Sequence, residues 1–93
     1  MSEHDLTITL RLDDPARYRI LVKGALDKTW EARLGGMSSC VLDSDPDTTI
    51  TQLVGELLDQ AALFGVLNTL YSLRMPLISV LLLGKGKNVE GEE

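Results

Sequence analysis

The first part of the chain alternates apolar and polar residues with a period of two, which predicts β-strands. One alternating run covers residues 6–12 and a second covers residues 18–23. Between them Asp13, Asp14 and Pro15 predict a turn, because proline presets the backbone angle φ that turns use. Each strand is expected to bury one of its faces.

A short helix and a hairpin are predicted next. Asp27 can cap a helix that carries Trp30, since its carboxylate can accept hydrogen bonds from backbone N–H groups two and three residues later. Gly35 and Gly36 end that helix. Residues 37–42 and 48–54 are rich in β-formers, and the acidic segment 43–47 between them is a turn by composition. That segment lacks the central glycine and the bidentate glutamate of a calcium loop, which favours a solvated turn.

The longest predicted helix begins after Asp59, which favours the positive end of the helix dipole. Apolar residues then recur at helical spacing and define a stripe of Leu63, Val66, Leu67, Leu70 and Leu73. Pro76 cannot continue a helix, so the chain is expected to leave in extended form. Residues 77–83 predict the last strand.

From residue 18 onward this order predicts an α+β fold, a ferredoxin-like βαββαβ sandwich with an antiparallel sheet and two helices on one face. The strand of residues 6–12 is extra. Because that fold places the strand of residues 18–23 in the centre of the sheet, the extra strand must lie at an edge or pair with another subunit, unless the ferredoxin-like topology itself is wrong. We expect residues 1–83 to form one domain and residues 84–93 to form a mobile tail with little to bury.

The composition favours a soluble, cytoplasmic domain. The 93 residues are 44% hydrophobic and 25% charged, which suits one globular core. The net charge is −5 and the nine Lys and Arg residues are dispersed, so a nucleic-acid partner is not expected. No signal peptide or membrane-spanning run is evident. Cys40 is the single cysteine, which fits a reducing compartment and predicts a buried thiol.

The apolar surface of the last helix and strand exceeds what one core requires. The helix carries apolar residues over roughly 200° of its circumference, whereas about 100° would cover a core-facing stripe. Phe64 and Tyr71 lie at one margin of that arc, and the strand of residues 77–83 is apolar on both faces. We therefore predict a homodimer, with Phe64, Tyr71, Leu77 and Leu81 at the interface. In the alternative interpretation Phe64 and Tyr71 only cover the edge of the core.

No catalytic, metal or nucleotide-binding motif is recognisable, so we expect no cofactor, and a non-enzymatic role is favoured. The leading hypothesis is a self-associating protein-interaction module that has no catalytic activity, works as a homodimer and can contact a further, unidentified protein. The alternative is a small-molecule-binding protein, regulatory or enzymatic, with its site between the sheets of a dimeric α+β barrel. Trp30, Arg17 and Arg19 are the ligand-binding candidates for that alternative, although a lone Trp more often anchors a core or an interface.

The chain also resembles a family of small uncharacterised bacterial proteins found in cyanobacteria, Chloroflexi and actinobacteria. The resemblance covers about residues 18–81 and is more specific in the helix-to-strand segment, which begins with an Asp-Gln-Ala-Ala-Leu-x-Gly motif at residues 59–65, than in the residues before it. The residues that carry it outside that motif are Gly24, Ala25, Leu26, Asp27, Trp30, Leu34, Gly35, Gly36, Met37, Gly55, Leu67, Leu73, Pro76, Leu77, Ser79 and Val80. The resemblance implies a bacterial cytosolic protein without an assigned activity.

Two positions depart from the pattern of this family. Phe64 stands where a histidine is expected after the Ala-Ala-Leu sequence, and Arg33 stands where a second aromatic residue often follows the Trp. Any chemistry performed by that histidine in relatives cannot proceed in the same way here.

Overall fold

The computed structural model describes residues 10–43, 45 and 47–85. The elements are β1 (Ala16–Lys23), a 3₁₀ helix (Lys28–Leu34), β2 (Ser38–Asp43), β3 (Ile50–Leu57), α1 (Gln60–Ser72) and β4 (Leu77–Lys85). This is an α+β protein, as predicted.

The four strands form one antiparallel sheet in the order β2-β3-β1-β4. β1 therefore lies in the interior of the sheet, as predicted for the strand that contains Tyr18. Ile20 at its middle stands opposite Leu53 of β3 on one side and Val80 of β4 on the other. The predicted pair of α-helices is not reproduced in full, because the first helix is a 3₁₀ helix and α1 is the only α-helix among the described residues.

The core lies between one face of this sheet and the two helices. Alternate residues of β1 are buried, whereas the residues between them are exposed or half-buried. The buried apolar residues form one cluster, which contains Ala16, Tyr18, Ile20, Val22, Leu34, Met37, Leu53, Leu57, Leu63, Val66 and Leu70. The 3₁₀ helix and α1 both contribute to this cluster, so both helices cover the same face of the sheet.

The orientation of α1 differs from the predicted stripe. Leu63, Val66 and Leu70 are its buried residues, whereas Leu67 is only half-buried at the margin of the core. An apolar arc twice as wide as the contact surface does not define which part of it faces inward. The centre of the stripe is therefore rotated away from Leu67, and Leu67 lies on the same side of the helix as Tyr71.

Local signals at the helix ends are confirmed. The Asp27 carboxylate accepts from the Thr29 N–H at 3.2 Å, and the Asp59 carboxylate accepts from the Ala62 N–H at 2.8 Å. After α1 the chain reverses through Arg74, a non-glycine residue in the left-handed region with φ 61°. The backbone then turns through Met75 and Pro76 into β4.

The predicted strand of residues 6–12 is not supported where it can be checked. Residues 6–9 lie outside the described residues, and residues 10–12 are not in a strand. Instead, the Leu12 carbonyl accepts from the Gln60 N–H at 2.8 Å, which fixes this segment beside the start of α1. At the other terminus β4 includes Gly84 and Lys85, so the last strand is longer than predicted; the rest of the predicted tail, residues 86–93, lies outside the described residues.

The prediction of a buried thiol is wrong, because Cys40 is exposed. Strand alternation decides the outcome: Ser39 points into the protein and is buried, so its neighbour Cys40 must point outward. The intrinsic tendency of free cysteine toward burial is weaker than the register of β2.

Candidate functional site

β4 is the most unusual surface of the protein. It lies at the end of the sheet, and among the described residues no strand pairs with its outer side. No residue from Leu77 to Gly84 is charged. Five large apolar residues of β4 have exposed fractions between 38% and 52%; they are Leu77, Ile78, Val80, Leu81 and Leu83. An apolar strand edge of this kind is a template for pairing with another chain.

Both faces of β4 contribute to this surface. Val80 stands opposite the buried residue Ile20 and so belongs to the face that carries the helices. Leu81 stands opposite Arg19 and belongs to the other face. α1 packs mainly against the 3₁₀ helix and β3, which leaves the helix-side face of β4 poorly covered.

An apolar groove runs between the C-terminal half of α1 and the start of β4. Its volume is about 270 Å³, and it is lined by Leu67, Leu70, Tyr71, Met75, Pro76 and Leu77. Tyr71 forms one wall and is 82% exposed. A second depression of about 350 Å³ continues past Tyr71 toward Ser72 and Arg74. The groove extends the apolar surface of β4 onto the flank of α1.

The structure brings together some of the predicted interface residues. Tyr71 and Leu77 line the same groove. Phe64 is 59% exposed and lies two turns before Tyr71 on the same side of α1. Leu81 is exposed on the opposite face of the sheet. Tyr71 and Leu77 are therefore adjacent on the helix side of the sheet, Phe64 shares the side of α1 that carries Tyr71, and Leu81 lies on the other face; the role of all four in assembly stays a prediction.

The predicted ligand-binding residues do not share one pocket. Trp30 packs half-buried against the core, with the Arg33 guanidinium 5.4 Å from the centre of its ring. Arg17 and Arg19 alternate with the core residues of β1, so they lie on the face of the sheet away from the helices. The Nε of Arg19 is buried there without a hydrogen-bond partner. On the core side, the hydroxyl of Tyr18 is also buried without a hydrogen-bond partner.

Residues 10–43, 45 and 47–85 contain no group of three or more His, Cys, Asp or Glu side chains placed to hold a metal ion. Within those same ranges, none of the helices has the length and apolar character that a membrane crossing requires.

A polar cluster at the other end of the sheet was not predicted from the sequence. One carboxylate oxygen of Glu31 accepts from the Ser39 N–H at 2.7 Å and from the Ser39 hydroxyl at 2.8 Å. The Lys28 ammonium donates to the Ser39 carbonyl at 2.8 Å and lies 3.6 Å from Glu31. The Lys28 and Glu31 spacing of three on a helix was visible in the sequence, but their shared target on β2 was not.

These contacts give Glu31 a pH-dependent role. The hydrogen bonds from the backbone and the hydroxyl of Ser39, with a smaller effect of Lys28, hold the pKa of the Glu31 carboxyl below its ordinary value of 4.5. A carboxylate whose pKa is lowered by folding stabilises the fold above the unfolded pKa, and this contribution disappears as the pH falls through the folded pKa.

Glu31→Gln is therefore expected to lower the melting temperature at neutral pH, with the difference from the wild type closing as the pH falls below about 4.5. Thermal unfolding followed by circular dichroism from pH 7 to pH 3 measures this difference. Asp13→Asn, in an exposed turn, is the matched control. A difference between Glu31→Gln and wild type that stays constant across this range would contradict the role of the ionised carboxylate.

The fold and this surface define a small α+β protein with a four-stranded antiparallel sheet, helices on one face and an apolar outer strand. Residues 17–81 match a family described as a domain of unknown function, DUF8691, and the chain belongs to that family. The matched range is nearly the one on which the resemblance to an uncharacterised family was based. No curated protein and no solved structure matches the chain.

Proposed function

We propose that this protein is a self-associating protein-interaction module, a homodimer without catalytic activity. The observation that carries the proposal is β4, an outer strand whose apolar residues are exposed on both faces and adjoin the Tyr71 groove. Monomeric soluble proteins rarely expose contiguous apolar surface of this extent, and such patches mark interaction sites. A second copy that covers this surface removes it from water and stabilises the folded chain.

The association should appear as a dependence of stability on protein concentration. Mass action requires that the melting temperature of a dimer rises as the protein concentration rises. We expect sedimentation equilibrium to give the mass of two chains at micromolar concentration, and the melting temperature to increase between 1 μM and 100 μM samples. A wild-type protein that sediments as one chain up to high micromolar concentration, with a constant melting temperature, would refute the proposal.

The second candidate function is small-molecule binding on the face of the sheet away from the helices, in a dimer that encloses the ligand. The observation in its favour is the buried, unpartnered Nε of Arg19, because buried polar atoms normally have a partner. Arg17 and Arg19 lie on this face, whereas Trp30 does not. A small molecule that stays bound in native mass spectrometry of the purified protein would favour this function over the first.

Further parts of the proposal concern context. We infer a bacterial, cytoplasmic protein, supported by the resemblance in residues 59–65 and by the single cysteine. The ferredoxin-like class is supported by the antiparallel order β2-β3-β1-β4, with the 3₁₀ helix in the place of the first α-helix. We also propose that the folded domain ends with β4 and that the remaining tail contributes nothing to it.

A further inference from the structure

The sheet has two outer strands, β2 and β4, and their outer edges differ. On β2 the backbone N–H of Ser39 donates to Glu31, and its carbonyl accepts from Lys28. Both groups therefore point away from β3, toward the side where a further strand would bind. Any strand that pairs with β2 at Ser39 must first displace two charged side chains of the 3₁₀ helix. The outer edge of β2 is therefore closed at Ser39, meaning that its backbone groups there are already hydrogen-bonded and not available to a further strand.

The edge of β4 has no such closure among the described residues. In an antiparallel ladder the backbone groups point alternately to the two sides, so about half of those in β4 face away from β1. Natural proteins protect such edges with charged residues, proline or bulges. Here the proline, Pro76, comes just before β4, and the charged residue Lys85 is the last residue of the strand. Two register irregularities lie opposite Leu21/Val22 and Arg17/Tyr18, and residues 79–82 between them pair regularly with β1.

From these differences we propose that the outer edge of β4 pairs in antiparallel fashion with β4 of a second copy of this chain, which joins two four-stranded sheets into one of eight strands. This inference rests on the proposed self-association and names its interface. A closed pair of identical chains is related by a two-fold axis, and a strand that meets its own copy across such an axis is antiparallel to it. The regular segment of residues 79–82 lies at the axis.

The exposed apolar surface is close in size to one side of a standard protein interface. The exposed apolar residues of β4 are 38% to 52% exposed, Phe64 is 59% exposed and Tyr71 is 82% exposed, which together present roughly 700 Å² on each chain. A standard protein interface involves about 800 Å² for each partner. Antiparallel pairing also brings the Lys85 end of one β4 beside the Leu77 end of the other. The groove beside Tyr71, at the Leu77 end of one strand, is then next to the Lys85 end of the second strand, where Leu83 is exposed.

The two-fold axis makes a sharp prediction for disulfide crosslinking. Successive residue pairs of an antiparallel ladder are not equivalent, so the axis must pass through one pair, in which a residue faces its own copy. Cβ atoms of directly opposed residues are about 4.5–5.5 Å apart, whereas disulfides need Cα atoms within about 7 Å. A cysteine at the axis can therefore crosslink, and a cysteine two residues away cannot.

The experiment uses the full chain with Cys40→Ser, which removes the single native cysteine. Ser79→Cys, Val80→Cys, Leu81→Cys and Leu82→Cys are introduced one at a time and oxidised with copper phenanthroline and dissolved oxygen. We expect one of these variants to give a disulfide-linked dimer in at least severalfold higher yield than the position two residues away. Leu42→Cys, exposed on the closed edge of β2, is the matched control and should crosslink weakly.

The outcomes separate this inference from the proposed function. Variants that sediment as dimers but show no crosslinking maximum at residues 79–82, or that crosslink equally at Leu42→Cys, overturn the β4 pairing and leave self-association in place. A wild-type monomer overturns both. Hydrogen exchange on the unmodified protein gives a second readout. Backbone amides of β4 should exchange several times more slowly in a concentrated sample than in a dilute one. Equal exchange rates across a concentration range in which the protein dimerises would refute the pairing.

Discussion

Replacing Phe64 and Tyr71 together by lysine should convert the protein into a monomer. Both side chains are largely exposed on the same side of α1, where Tyr71 lines the groove that adjoins β4. In the proposed contact each lysine would replace buried apolar surface by a charge, and the cost of removing that charge from water opposes association. If each aromatic side chain is an interface hot spot of about 2 kcal/mol, the dissociation constant should rise at least about a hundredfold.

Sedimentation of the double variant at the concentration where the wild type dimerises measures this effect. Leu42→Lys combined with Leu58→Lys is the control, because both leucines are exposed and stand away from the groove. The control pair should stay dimeric. A Phe64→Lys/Tyr71→Lys protein that remains a fully stable dimer would exclude this flank of α1 from the interface, although it would not exclude the edge of β4.

Leu70→Ala should reduce the free energy of unfolding by about 2–5 kcal/mol, the range for removing a large aliphatic side chain from a packed core. Leu70 is almost completely buried between α1 and the sheet. Leu67→Ala makes the same chemical change one turn earlier at a half-buried position and should cost clearly less. Because the protein is proposed to dimerise, both variants are compared with the wild type in urea titrations at one fixed protein concentration.

The comparison tests the observed orientation of α1. If Leu67→Ala destabilises the protein as strongly as Leu70→Ala, the helix faces the sheet with the stripe centred on Leu67 that the sequence predicts. Equal small losses of under about half a kcal/mol would place neither residue in the core.

Local chemistry explains which parts of the fold could be predicted. Asp27 and Asp59 cap helices through side-chain contacts within three residues, and Pro76 cannot be part of a continuing helix for a reason contained in its own ring. The apolar alternation of β1 likewise defines its buried face without help from the rest of the chain. Such short-range sequence patterns predict the structure correctly here because tertiary contacts do not oppose them.

Where tertiary packing decides, the sequence was less informative. The rotation of α1 about its axis depends on how the helix packs against the sheet. An apolar arc this wide does not specify which of its residues face the core. Cys40 faces outward because Ser39 is the inward residue of β2, a matter of register with β3. The contact of Glu31 with Ser39 joins residues eight apart through a turn whose geometry no pattern specifies.

The candidate surface could be predicted in composition but not in shape. The apolar residues of β4 and the pair Phe64 and Tyr71 were evident from their spacing. The groove formed by Tyr71, Pro76 and Leu77 depends on the path of the chain after Arg74, which takes a left-handed conformation unusual for arginine. Arg17, Arg19 and Trp30 appeared compatible with one pocket only while the face of each was unknown.

If two chains pair through β4 as proposed, the contact of Lys28 and Glu31 with Ser39 has a consequence for the size of the assembly. A sheet protein whose two edge strands can both pair with other copies can assemble indefinitely into fibres. Here a pair joined through β4 presents only β2 at both of its extremities, and each β2 is already engaged at Ser39 by its own 3₁₀ helix. In the proposed assembly, growth would therefore stop at two chains. The side chains of Lys28 and Glu31 would then decide between a discrete dimer and an open-ended filament.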